Sequence, residues 1–461
     1  MKELKEKEDK VLVSFRDGVY DITEFVHAHP GGEEKIRLAT GSSIEPFWNM
    51  YRHHLTAVTG RLLETFRVGN LIRAEGEVLD LNDPYANDPE RHPALIVYIQ
   101  KPFNAETPVA LLGDRFLTSN ELFFVRNHLP VPKVDPKNYK LEVSLEGKDP
   151  IYFTLEELQT KFPIYEVTAT IQCAGNRRRE MNQSKEVKGI AWQGGAISNA
   201  TWTGPKLRDV LLYAGIPESE VDKTIHHIQF EGLDADMEKS YGASIPAQKV
   251  LNPSSEVILA FKMNGETLPL DHGYPIRAVV PGTVGARSVK WLHKVIASAQ
   301  ESPSFWQHKD YKGFGPYTDW HNIDYTQVPA IQELPVQSLI TSPPPSAKRV
   351  VLDADGLLPI HGYAWSGGGR GIVRVDVSLD DGKTWEPATI HPNQQTYGKV
   401  WAWTQWEHRF KVPEGVKEVD LVVKAVDSSY NTQPESWGPV WNVRGVLANA
   451  WYKIHLKVDE E

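Results

Sequence analysis

Two groups of residues in this 461-residue chain could carry redox chemistry, and they lie far apart along it. The first is a histidine pair. The segment DITEFVHAHPGGEEKIRLATGSSIEPFWNMYRHHLT places His29 in a His-Pro-Gly-Gly turn and, 25 residues on, His54 directly after His53. Two neutral imidazoles on opposite walls of an apolar cleft can fill both axial positions of a haem iron. Such an iron has no position open to oxygen and transfers electrons. Pro30 and the two glycines make a turn that presents His29, while Phe25, Val26, Phe47 and Trp48 supply apolar lining. His-Pro-Gly-Gly alone equally describes a turn with an incidental surface histidine. The second histidine at this distance, with DITEFV upstream and RVGNL downstream, favours the haem reading, and the His53–His54 doublet leaves a one-residue ambiguity in the second ligand.

The second group surrounds Cys173, the only cysteine, in IQCAGNRRR with Arg177, Arg178 and Arg179 behind it. A lone cysteine is usually a small buried hydrophobe, and an arginine run is usually a solvated face. A thiol beside Arg177 and Arg178 favours thiolate chemistry, which suits a nucleophile or a ligand to a soft metal. No motif supplies the general base that a nucleophile needs. Further cationic or donor-rich clusters stand in FFVRNHLP (Arg126, His128), LDHGYPIR (His272, Arg277) and VGARSVKW (Arg287, Lys290). Each alone is more often structural. Together they suit a large phosphate-bearing ligand and a small anionic substrate.

A chain of this length needs more than one core to position these groups. Its net charge of −10 argues against general nucleic-acid binding. It has no apolar run of about 18 residues, so no transmembrane helix is expected. One cysteine excludes an internal disulfide, a thiolate-built zinc site and an all-cysteine iron–sulfur cluster. The opening MKELKEKEDK lacks the apolar core of a signal peptide, which leaves a cytosolic protein or a targeting segment outside this sequence.

Along the chain, residues 11–73 mix short strands (VLVSF, VYDIT) with a helical GRLLETF. EGEVLDLNDPYANDPERHP, residues 75–93, reads as an extended linker. Residues 94–330 form an α+β block, with strands in YEVTATIQC and EVILAFKM and a helix in TGPKLRDVLLYAG that ends at its glycine. After SPPPSAKR, VRVDVSLDDGKTWEPA alternates and turns at Asp-Gly, and VDLVVKAVDSS and VWNVRGV continue in the same short-strand style. This predicts a β-sandwich of immunoglobulin type.

The histidine segment closely resembles the cytochrome b5 family, whose pattern joins a D-[VI]-T-x-F start, HPGG and a second axial histidine at this distance. The resemblance implies that His29 and His54 bind haem b, with His53 the competitor for the second position. The family's Tyr-rich segment and helix ahead of VLVSF are replaced here by MKELKEKEDK. FFVRNHLPVP, TIQCAGNRR, KEVKGIAW, FEGLDAD, DHGYPIR, GARSVKWL, KDYKGF and ELPVQS, in order over about residues 70–461, resemble the eukaryotic (animal-type) sulfite oxidase family, whose cytochrome b5 block also comes first.

That resemblance implies a multidomain fold. Residues 1–74 would be an α+β cytochrome b5-like haem domain, 75–93 a flexible linker, 94–335 an α+β molybdopterin-binding catalytic domain, and 336–461 an immunoglobulin-like dimerisation sandwich. It implies oxidation of sulfite to sulfate at a molybdenum–molybdopterin centre, with electrons leaving through haem to cytochrome c. Cys173 would be the molybdenum ligand, and Phe124, Val125, Arg126, Asn127, His128, Asp234, His272, Arg277, Ser288, Val289 and Lys290 would hold the cofactor. Arg126, Arg178, Trp192, Tyr311 and Arg444 would form the sulfite pocket with Cys173. Arg444 lies in the third block, which must therefore reach back to the site, while Arg177 and Arg179 are expected to neighbour the cofactor or face solvent. A homodimer in the mitochondrial intermembrane space is implied, with no nucleic-acid partner and no membrane insertion. The rivals are a nitrate reductase-like molybdoenzyme, which places its haem block later and adds a flavin segment, and a non-catalytic haem electron shuttle, which would be expected to have lost Cys173 or the arginines.

Overall fold

The computed structural model describes residues 10–71, 83–86, 88–235 and 239–459. The charged opening at 1–9, and residues 75–82 and 87 of the expected linker, lie outside the described residues. The chain divides into two compact units, Met1–Ala86 with Glu90–Ile96, and Asn87–Pro89 with Val97–Glu461.

The first unit is built on a three-stranded antiparallel sheet of Leu12–Phe15, Gly18–Asp21 and Arg67–Asn70. Between the second and third strands the chain runs through short helical pieces, among them Glu33–Arg37, Glu45–Met50, Arg52–His54 and Ala57–Glu64. Val13, Tyr20, Ile22, Val26 and Leu63 are buried beneath them. Thr56 accepts the Thr59 backbone N–H and so caps the last helix. The His53–His54 doublet ends the short helical turn Arg52–His54, just ahead of this cap.

The second unit contains both of the blocks expected after residue 93. A five-stranded sheet orders Ser240–Pro246, His227–Ala235, Leu292–Ser298, Lys140–Leu145 and Ile151–Thr154, with Leu292–Ser298 and Lys140–Leu145 parallel. A four-stranded sheet contains the long antiparallel pair Ile164–Gln172 and Ile197–Pro205. The expected helix runs over Leu207–Tyr213, and the chain then turns through Gly215 at φ 77°. Beyond residue 336, sheets of four and five strands form the sandwich, and the Asp-Gly turn is made by Asp381 and Gly382, both at positive φ.

One apolar core crosses from the sandwich into the block before it. Leu339, Tyr363, Trp365, Trp403 and Val446 cluster with Val109, Ala174, Ile197, Val284 and Tyr311. WNVRGV corrects the sequence-based expectation of a strand: it is an irregular loop. Gly445 and Leu447 adopt φ of 58° and 62°, which breaks the two-residue alternation. The backbone is satisfied locally instead: Asn442 donates to Val446 O at 2.7 Å and accepts from Val446 N–H at 3.2 Å. The Leu447 N–H then donates to Ala174 O at 2.9 Å, which pins the loop to the neighbour of Cys173.

Candidate functional site

In the first unit the rings of His29 and His54 lie 6.1 Å apart with planes within 11° of parallel. His29 Nδ1 lies 3.2 Å from Gly32 O and His54 Nδ1 2.9 Å from Tyr51 O. A carbonyl oxygen only accepts, so each Nδ1 carries the proton and each Nε2 keeps a lone pair for a metal. Two imidazoles on opposite faces of one metal, each bonded at about 2 Å, put their ring centres roughly 6 Å apart. The pair therefore fits axial ligation of a haem iron. Burial lowers the His54 pKa and keeps the ring in the neutral, ligating form. His53 is exposed, its ring 4.2 Å from that of His54. Gly31 leaves room for the His29 ring, since a Cβ there would lie 2.8 Å from His29 Cε1 and displace it.

In the second unit Cys173 follows the strand Ile164–Gln172 and sits on the wall of a cavity. The same wall carries Phe124, Arg126, His128, Asp234, Tyr241, His272, Arg277, Ser288, Val289, Lys290 and Tyr311. Val125 and Asn127 are buried but do not line the cavity. Asn127 instead accepts from Lys290 Nζ and donates to Asp271 Oδ1 at 3.0 Å.

The electrostatics of this cavity are unusual. Arg277 directs its guanidinium to the carbonyls of His272 and Ser288, at 3.1 and 2.8 Å, and Lys290 donates to Asp271 O at 2.8 Å. Burial pushes Arg277 down to about 9 and His272 down to about 4. It also lowers Lys290 and raises Asp234, whose Oδ1 is buried without a partner among the described residues. Buried cations held chiefly by carbonyl dipoles, beside an orphaned carboxylate oxygen, are unfavourable in isolation. They fit a ligand that brings a phosphate for the cations and a ring donor for Asp234, while the Cys173 sulfur suits a soft metal. A molybdenum-bearing pterin phosphate meets all three demands.

The residues expected to receive sulfite divide in two. Arg126 and Tyr311 line the cavity; Arg178, Trp192 and Arg444 stand close to Cys173 or to one another without lining it. Tyr311 Oη lies 2.7 Å from His128 Nε2. Arg178 donates to Gly445 O at 2.9 Å and Ile190 O at 2.8 Å; burial lowers its pKa, and the field of Cys173 opposes that shift. Arg444 is paired with the Asp310 carboxylate, and its pKa is lowered by burial and then by repulsion from Arg178. Trp192 is fully buried in the apolar cluster that contains Cys173, and its Nε1 has no partner among the described residues.

Arg177 departs from the expectation. It neither faces solvent nor lines the cavity. It is fully buried and paired with Glu180 at 2.7 Å, and its guanidinium lies 4.9 Å from the Trp437 ring and 5.0 Å from that of Tyr452. The left-handed backbone at Arg177, φ 63°, turns the side chain away from the thiol and into the sandwich. Arg179 is exposed, as one of its two expected readings requires. Sequence reasoning missed Tyr241, which stacks on His128 at 4.7 Å, and Asp310, which holds Arg444. Tyr241 sits in an ordinary buried strand with no motif to mark it; Asp310 adjoins Tyr311 in KDYKGF and could have been found there.

Comparison with known proteins adds to this geometry. Residues 128–306 match the oxidoreductase molybdopterin binding domain, 328–459 the Mo-co oxidoreductase dimerisation domain, and 1–72 the cytochrome b5-like heme/steroid binding domain. The sulfite oxidase of Gallus gallus is 53% identical over 97% of this chain and 96% of that protein. The mitochondrial sulfite oxidase of Homo sapiens is 49% identical over 98% of this chain and 82% of that protein. Among solved structures, the sulfane dehydrogenase SoxCD of Paracoccus pantotrophus has a TM-score of 0.62 at 28% identity, covering 84% of this chain and 96% of that one. With a thiol-bearing cationic cavity, a facing histidine pair and likeness along nearly the whole sequence, the chain belongs to the sulfite oxidase family.

Proposed function

We infer that this protein is a molybdenum-dependent sulfite oxidoreductase that holds a molybdopterin in the Cys173 cavity and haem b between His29 and His54. The observation that carries the reading is the sole thiol on the wall of a cavity whose buried cations call for a bound anion. When bound, the molybdenum centre supplies oxygen-atom transfer to sulfur and the haem supplies one-electron steps.

The protein's own groups bind, orient and neutralise. The Cys173 thiolate would anchor the metal. Arg277, Lys290, His272 and Ser288 would hold the pterin phosphate, Asp234 would accept from the pterin ring, Phe124 and Val289 shape the wall, and Val125 and Asn127 support it from outside the lining. Arg126, Arg178 and Arg444 lower the energy of a sulfite anion out of water and of the negative charge that moves onto oxygen as it reacts. Trp192 Nε1 offers a further donor. Tyr311 Oη orients the anion and is itself held by its hydrogen bond with His128 Nε2.

Cytochrome c is the proposed electron acceptor, reached from the haem unit. The connection between the two units is proposed to let the haem unit alternate between accepting and delivering electrons. Residues 336–461 are proposed to join two copies as a homodimer, and the location is proposed as mitochondrial, in the intermembrane space.

The test is molybdenum and haem content followed by sulfite-dependent reduction of ferricytochrome c, in wild type and Cys173→Ser. Reduction confined to the wild type places the chemistry on that thiol. Molybdenum-loaded wild type that ignores sulfite and consumes nitrate overturns the reading. Sulfite-dependent reduction of ferricyanide without haem would leave the cavity assignment standing and reject the haem route.

A further inference from the structure

The short strand Asn104–Glu106 contributes nothing to the cavity wall, yet all three of its residues are fully buried. A buried amide and a buried carboxylate two residues apart are tolerated only when their hydrogen bonds are made, so the partners they choose are informative. Asn104 Oδ1 accepts from Arg126 Nη1 and from the Asn127 N–H, both at 3.1 Å, and Asn104 Nδ2 donates to Asn127 O at 3.0 Å. The backbone pairs Asn104 with Arg126 as well.

Glu106 makes the opposite set of contacts. Its carboxylate accepts from Tyr98 Oη at 2.6 Å, from the Gln193 N–H at 3.0 Å and from the Gly195 N–H at 3.2 Å. Those amides directly follow Trp192 in a segment that touches the site twice more. Ile190 O accepts from Arg178 at 2.8 Å, and Ala196 O accepts the Cys173 N–H at 2.9 Å. Gly195 approaches so closely that a Cβ there would lie 1.9 Å from Thr107 O. One three-residue strand thus grips Arg126 through its first side chain and the Trp192 segment through its last.

We propose that Asn104 and Glu106 are positioning residues that set the separation between Arg126 and the Trp192 segment, and with it the fit of the anion between them. This rests on the reading of Arg126 and Trp192 as sulfite donors. Every partner of Glu106 is a donor, so the segment is held by an acceptor-only group. The isosteric amide would turn an NH2 toward backbone N–H groups and displace the segment.

The experiment uses the full chain loaded with molybdenum cofactor and haem, and measures steady-state sulfite oxidation together with calorimetric binding of sulfate. Because small misplacement of binding groups weakens the anion's fit, Glu106→Gln should raise KM for sulfite and Kd for sulfate about tenfold, with kcat within about threefold. Tyr98→Phe, which removes only the hydroxyl, should raise both constants about threefold and add nothing in the Glu106→Gln background. Unchanged constants in Glu106→Gln at full molybdenum content overturn the proposal, as does a loss confined to kcat. If Glu106→Gln misfolds or loses molybdenum, Tyr98→Phe carries the test, and unchanged constants there overturn it. A wild type that neither oxidises sulfite nor binds sulfate removes the underlying reading and the proposal with it.

Discussion

Tyr311 Oη and His128 Nε2 lie 2.7 Å apart on the wall of the Cys173 cavity. Burial raises the phenol and holds the imidazole well below its usual value, so the pair shares a hydrogen bond between neutral groups. Tyr311→Phe removes that bond and a donor to the substrate while keeping the ring. The expected outcome is a fall in kcat/KM for sulfite of roughly tenfold to a hundredfold at unchanged molybdenum and haem content, checked by steady-state kinetics.

The histidine geometry separates two neighbouring substitutions. His54→Ala removes the imidazole that faces His29, and the purified protein should lack the haem absorbance band. His53→Ala alters an exposed ring and should retain it. Equal haem content in both variants would reject the assignment of His54.

Arg277 donates only to carbonyl oxygens and is strongly disfavoured as a buried cation without an anion. Arg277→Met should therefore leave the empty protein as stable as wild type or more so, while molybdenum retained after purification falls at least about tenfold. Metal analysis and thermal melts of the two forms decide it.

The Arg177–Glu180 pair ties the Cys173 turn to the sandwich. Glu180→Gln leaves a buried guanidinium whose carbonyl and aromatic contacts do not replace a counter-charge. A stability loss of about 3 kcal/mol is expected, read from urea unfolding of the full chain.

Asp427 gives a pH signature within the sandwich. Burial alone would raise its pKa, but hydrogen bonds from Asn431, Ser366 and the Ser429 N–H hold it below the ordinary range. Its folded value is lower than its unfolded one. The stability it contributes is therefore full above about pH 4 and is lost as pH falls through the folded value. Asp427→Asn should lower the melting temperature at neutral pH, and the gap to wild type should narrow at lower pH.

The elements that form from local pattern were legible in the sequence: alternation in Ile164–Gln172 and Glu418–Asp427, and the Asp-Gly turn at 381–382. WNVRGV misled because its apolar spacing imitates a strand, while its conformation is set by left-handed residues and by contacts with Ala174 far away in sequence. The cavity side chains His272, Arg277 and Lys290 were marked by charge in unusual company. Tyr241 and Glu106 were not, because a tyrosine or glutamate in a buried strand is distinguished only by what it touches.

By itself the sequence determined the inventory: two histidines at a fixed interval, one thiol with cations near it, and the residue types able to hold an anion. These are properties of spacing and charge, which a chain carries before it folds. The tertiary structure decided the assignments. It set the His54 ring parallel to that of His29 and left His53 exposed, sent Arg177 into the sandwich and left Arg178 beside the thiol, and carried Arg444 to Asp310 from the other end of the second unit. The physical reason is the same in each case. A side chain's direction follows from the backbone dihedral beneath it and from the neighbours that compete for its hydrogen bonds, and those neighbours are brought together only by packing.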